Sequence, residues 1–204
     1  QLQRDFVANA SHELRTPLTV LSGSIEQLRM QASEDPAWAR PLGWMERQTE
    51  RMTRIVEDLL LLARLERARD ASEAGEPVDL SGLARACVDE ATELSRREGG
   101  HAIDARIESG VRIVGFVDEL RAALANLLVN AVRYTPAGGT IRISWHASAQ
   151  GAEFAVQDTG IGIDPKHLPR LTERFYRIDR GRSRDAGGTG LGLAIVKHSL
   201  NRHQ

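Results

Sequence analysis

Apolar residues at the start of the chain return in alternating steps of four and three, at Leu14, Leu18, Leu21, Ile25, Leu28 and Ala32. That spacing lays them along one stripe of an α-helix made to pack against other helices, so a long first helix is predicted over roughly 1–31. After the polar break at 33–36, Leu42, Met45, Met52, Val56, Leu59 and Ala63 repeat the spacing with Thr49 as the polar member, and a second helix is expected to end near Arg69. Two helices with one apolar seam each cannot enclose a core, whereas a pair of such hairpins makes a four-helix bundle. The hairpin therefore predicts a homodimer.

Residues 68–77 are small and charged and close on Pro77, which reads as a linker. Beyond it the period changes. Ser81 can cap a helix running to about Arg97, residues 101–108 and 111–115 read as strands, and Asp118 can cap a helix reaching about Tyr134. Strands are expected at 140–147 and 152–158, then an irregular Gly-, Arg- and Asp-rich stretch over 160–188, then a last helix from Leu191. This order predicts an α+β sandwich, a helix layer packed on a mixed sheet.

Composition narrows the function without naming it. A hydrophobic share of 41%, a charged share of 27% and a formal net charge of −1 are those of a globular protein with no electrostatic pull toward nucleic acid or membrane. The single Cys87 cannot form an internal disulfide and sits where a helix would bury it. No run approaches the roughly eighteen apolar residues of a membrane span. The chain lacks a starting Met and opens inside a helical pattern, so it is expected to be a fragment of a longer protein.

The candidate chemistry begins at His12, two residues before Leu14. At about 100° per residue this turns His12 about 200° from the buried stripe, leaving it exposed with Thr16 on the same face and Glu13 beside it. A neutral imidazole is a competent nucleophile, an adjacent carboxylate can stabilise the proton on its other nitrogen, and Pro17 loosens the helix nearby. Taken alone, these residues more readily describe a surface histidine on a bundle helix. Asn126 and Asn130 lie one turn apart on one helix face, followed by Arg133 and Tyr134. An Asn carbonyl oxygen can join phosphate oxygens around Mg²⁺, although two such residues also serve as solvent-facing or capping groups. Asp158 ends a predicted strand before Gly160 and Gly162, where a carboxylate can accept a hydrogen bond from an adenine amino group, or simply shape a turn. Gly188, Gly190 and Gly192 precede the last helix, whose free N–H groups favour phosphate. No Lys-Ser/Thr pair follows, so this is not a P-loop.

Together these segments resemble the bacterial sensor histidine kinases. Residues 6–28, FVANASHELRTPLTVLSGSIEQL, resemble the H box, 119–136 the N box, and 154–198 the remainder of the nucleotide site, closest to the phosphate-regulon branch. The resemblance implies His12 as phosphoacceptor, Glu13 as its acid or base partner and Thr16 as an aid to phosphatase action. It gives Asn130 to the metal with Asn126 nearby, and Arg133, Tyr134, Asp158, Gly160, Gly162, Gly188, Thr189, Gly190, Leu191 and Gly192 to the nucleotide. Phe175 and Tyr176 look like the F box of a mobile lid. ATP and Mg²⁺ are the implied cofactors, a second copy and the receiver domain of a response regulator the implied partners, with no nucleic acid. The implied domains are dimerisation and phosphotransfer over 1–69, a linker over 70–77, and ATP binding over 78–204. The resemblance further implies a cytoplasmic fragment, joined to the bacterial inner membrane only through segments it does not contain. Two residues depart from the pattern: Phe116 stands where an acid or amide is expected, and Arg133 where Lys is commoner. Related kinases continue past the last helix into two further strands, so the sheet is expected to lack that pair. An ATPase that only hydrolyses, and a nucleotide-binding scaffold without chemistry, are the rival readings.

Overall fold

The structure, a computed structural model, describes residues 17–30, 36–67, 75–110, 112–148, 151–178 and 188–203. Residues 17–30 form helix α1, and α2 follows over Pro36–Arg67. Arg29 reaches Glu46 at 3.0 Å and ties the two helices together. The predicted seam divides in two. Leu18, Ile25, Leu42 and Thr49 are buried, while Leu21, Leu28, Met45, Met52 and Leu59 remain substantially exposed, as does Trp38, which is not part of the predicted seam. Trp38, Met45, Met52 and Leu59 recur at seven-residue steps, so the exposed set is itself one stripe of α2.

Strand β1 (Glu76–Asp79) pairs antiparallel with β3 (Arg112–Gly115), and the pairing begins Glu76 to Gly115 and Pro77 to Val114. The expected linker over 70–77 thus ends inside a strand, because Pro77 takes a position in this two-stranded edge. Helix α3 (Leu80–Arg97) is capped by Asp79, whose carboxylate accepts from the Gly82 N–H at 3.1 Å; Ser81, the cap expected from the sequence, is buried inside the first turn. Helix α4 (Val117–Tyr134) likewise starts earlier than Asp118 and has no side-chain cap. Asp118 and Glu119 lie in its first turn, where negative charge suits the helix dipole.

A three-stranded mixed sheet carries the core. β2 (Ala102–Ile107) runs parallel to β4 (Thr140–Ser148), and β4 runs antiparallel to β5 (Gly151–Asp158). Ile141, Ile143 and Trp145 alternate inward along β4 and meet Leu83, Cys87, Leu124, Leu128 and Val132 from α3 and α4. This is the predicted sandwich, with Cys87 acting as a small apolar residue. A 3₁₀ turn (Pro165–Arg170) leads toward the last helix, α5 (Gly192–Arg202), which packs beside α4. A second apolar cluster joins Leu62 and Leu65 of α2 to Leu191, the residue before α5, and to Ala194 and Ile195 within it, so α2 is docked on the later part of the chain.

Phe116, the unexpected residue before α4, has a local reason. Its N–H donates to His203 Nε2 at 3.0 Å and its ring lies 3.7 Å below the Arg202 guanidinium, which pairs with the buried Glu119. A smaller polar residue would not offer that cation its ring face.

Candidate functional site

Three of the segments singled out in the sequence meet around α4. At the end of β5, Asp158 is exposed, and its Oδ1 accepts from the Gly160 N–H at 2.8 Å, leaving the other oxygen open. The loop that follows leans on the carbonyl of Tyr134, which accepts from the Ile161 N–H at 3.1 Å. A Cβ at Gly160 would fall 2.5 Å from that carbonyl oxygen, so the approach requires glycine. Thr159 fixes the other side through two bonds with Thr140, of 3.1 and 2.9 Å. Gly162 lies just beyond, at φ +69°.

On α4, the Asn126 amide donates to Ala122 O at 2.9 Å while its oxygen lies against the backbone of Gly192, where any Cβ would collide with it. Asn126 thereby seats the start of α5 against α4. Asn130 is half-buried and makes no side-chain hydrogen bond among the described residues, so its carbonyl oxygen is available to a cation. No group of three or more His, Cys, Asp or Glu among the described residues could hold a metal ion. A Mg²⁺ ion here would draw most of its oxygens from a phosphate ligand and water, which suits a single Asn. Tyr134 is exposed, with its hydroxyl beside Gly188.

The second glycine segment turns into α5, whose first-turn N–H groups are of the kind that can donate to a phosphate at a helix start. Thr189 Oγ1 accepts from the Leu191 N–H at 3.2 Å and donates to Asp58 Oδ2 at 2.7 Å. Burial pushes the Asp58 carboxyl above its ordinary value, opposed by the Thr189 hydrogen bond. Arg133 lies close by: burial, then the neighbouring Arg54, depresses its pKa. Two residues given to the nucleotide by resemblance, Arg133 and Thr189, therefore face α2 in this conformation. Gly190 O accepts from the Phe175 N–H at 2.8 Å, and Leu191 is fully buried in the cluster with α2.

Phe175 adopts φ +60°, a left-handed conformation that costs a non-glycine residue energy, and the residue is 56% exposed. The Tyr176 hydroxyl bonds His167 Nδ1 at 2.7 Å and its ring lies 4.2 Å below the Arg170 guanidinium, a brace for the 3₁₀ turn. Arg174 pairs with Glu66 of α2, which also lies 3.8 Å from His198. His12, Glu13 and Thr16 lie outside the described residues. The residues that sequence reasoning missed are Asp58 and Glu66, two acids among many on α2, with nothing local to mark them.

The chain matches two family models, the His Kinase A (phospho-acceptor) domain over residues 2–68 and the histidine kinase-, DNA gyrase B- and HSP90-like ATPase over residues 115–204. It is 52% identical over 205 aligned residues to the phosphate regulon sensor protein PhoR of Pseudomonas aeruginosa, covering 100% of this chain and 46% of that protein. Against the protein of the same name from Haemophilus influenzae, identity is 38%, over 97% of this chain and 46% of that protein. The chain thus spans less than half the length of these relatives. Among solved structures, full-length ShkA in complex with AMPPNP superposes with a TM-score of 0.73 at 29% identity, over 97% of this chain and 41% of that one.

Proposed function

The chain belongs to the histidine kinase family, and from that premise we propose that it is the catalytic core of a sensor kinase that phosphorylates itself on His12. The observation that carries the reading is the convergence of Asp158, Asn130 and the 188–192 turn around one helix, α4, behind a segment that matches the phospho-acceptor model. In this reading the open Asp158 oxygen accepts the adenine amino group, and the α5 N–H groups hold the phosphates. Asn130 would hold a Mg²⁺ ion, which would supply charge neutralisation to the phosphates. The His12 imidazole attacks the γ-phosphorus, a P–N bond forms as the β–γ bridging P–O bond breaks, and ADP leaves. Glu13 stabilises the proton on the other ring nitrogen. Phosphoryl transfer asks the protein for positioning and charge more than for covalent work.

The phosphoryl group then passes to an Asp of a response regulator receiver domain, and Thr16 assists the reverse, dephosphorylating activity. The exposed stripe of Trp38, Met45, Met52 and Leu59 supports a second copy as the dimer partner. The proposed domains are 1–69 and 76–204, β1 being counted with the second, which moves about the linker before it, with residues 175–176 at the base of a lid. No described helix is long and apolar enough to cross a membrane, and anchoring of a longer parent protein is proposed to reside in segments outside this chain. The test is incubation with γ-labelled ATP followed by addition of a receiver domain. Label that appears on this chain and then moves to the receiver supports the reading; phosphate released to solution with no labelled protein contradicts it.

A further inference from the structure

His101 belongs to none of the segments the proposed chemistry uses, yet both nitrogens of its ring are hydrogen-bonded. Its own N–H donates to Ser95 Oγ at 2.9 Å, its Nδ1 meets the same hydroxyl at 2.8 Å, and its Nε2 lies 3.0 Å from the Thr135 carbonyl oxygen. A carbonyl can only accept, so Nε2 carries the proton and Nδ1 accepts from the Ser95 hydroxyl. Ser95 is buried at the end of α3, and Thr135 is the residue that ends α4. The ring is therefore a strut between two helix ends.

What it steadies is the peptide next to the nucleotide loop. Thr135 follows Tyr134, whose carbonyl oxygen holds the Ile161 N–H and touches Gly160. The rest of the 135–139 turn is strapped to the same strand start, Gly138 N–H to Gly100 O and Ala102 N–H to Gly139 O, both at 2.9 Å. These backbone bonds fix the far end of the turn. At the near end the Thr135 N–H donates to Ala131 O at 3.1 Å, and the His101 side chain holds the Thr135 carbonyl, one peptide away from the carbonyl on which the 158–162 loop rests.

We propose that His101 is a positioning residue for the adenine end of the nucleotide site, acting through the Thr135 carbonyl and the Tyr134 peptide on Asp158 and Gly160. The inference rests on the nucleotide-site reading above. It separates the two ends of the ligand: the phosphate end, at residues 188–192 and Asn130, does not depend on the strut. Loss of the strut therefore weakens nucleotide binding and leaves the chemical step intact.

The test compares two side chains that differ by one methylene. In His101→Gln an amide N–H can stand where Nε2–H stands, whereas His101→Asn keeps a polar group at the Ser95 side and cannot reach Thr135. ADP and ATP affinities of the 204-residue chain are titrated, with KM and kcat of autophosphorylation and the melting temperature alongside. The expected result is that Asn weakens ADP binding and raises the KM for ATP about fivefold to tenfold, the worth of one lost hydrogen bond, while kcat holds and Gln restores most of the loss. Gln and Asn binding ADP as wild type does, or kcat and KM worsening together in both with a lowered melting temperature, would overturn the positioning role. Wild-type chain that binds no nucleotide would instead overturn the site reading itself, and the two failures are distinct.

Discussion

The bond from Thr189 to Asp58 puts a nucleotide-site residue in the grip of α2, and removing it gives a directional expectation. Thr189 lies in the turn proposed to take phosphate, and the acceptor of its hydroxyl is a carboxylate, so a phosphate arriving there must displace that bond and tolerate a like charge. A hydrogen bond to a charged group contributes about 1.5–3 kcal/mol, but burial partly desolvates the carboxylate and pushes its pKa up, and that cost offsets part of the gain. A net contribution of about 1 kcal/mol to docking corresponds to about a fivefold change in the docked population. Asp58→Ala is expected to tighten ATP-analogue binding by up to about fivefold, and Asp58→Asn, which keeps an acceptor and loses the charge, by less. Calorimetric titration of wild type and both variants with a non-hydrolysable analogue measures this. Because the docked carboxyl is harder to ionise than the free one, docking weakens as pH rises from the ordinary value of 3.8 through the raised one and is level above it. The gain in affinity from Asp58→Ala should therefore be smaller above that window than within it. Unchanged or weaker analogue binding in Asp58→Ala would refute the antagonism.

Three further outcomes follow from single side chains. Asp158→Asn should weaken ATP binding about tenfold by exchanging a charged acceptor for an amide, with the melting temperature unchanged because the group is exposed; equal affinity would remove it from the adenine site. Asn130→Ala should raise the Mg²⁺ concentration for half-maximal autophosphorylation by about tenfold, and an unaltered Mg²⁺ profile would mean that the ion is held elsewhere. Phe175→Gly removes the cost of the left-handed backbone and gives up the ring of an exposed residue, so stability should hold or rise by about 1 kcal/mol in thermal unfolding; a loss of that size would show the ring to be structural.

Much of this was legible because it is periodic or local. The 3.6-residue repeat gave α4 and the long α2, alternation gave β4 and β5, and a glycine-to-helix junction marked the start of α5. The caps of α3 and α4 were misplaced because Ser81 and Asp118 have the right chemistry, while Asp79 reaches Gly82 only once Glu76–Asp79 has paired with Arg112–Gly115. The α2 seam was read as one stripe, yet the burial of Leu62 and Leu65 depends on α5, more than 120 residues along the chain. Helical periodicity shows that a face is apolar, not what covers it. For the same reason nothing pointed to Asp58, Glu66 or His101, whose partners are set by tertiary packing.

The most direct test of the central claim is to identify the residue that carries phosphate after incubation with Mg·ATP. The account predicts a single labelled position, His12, as phosphate that is lost in acid and withstands alkali, and no label on His12→Ala although that variant still binds ATP. Label that persists in His12→Ala, or that survives acid and is lost in alkali, would contradict it.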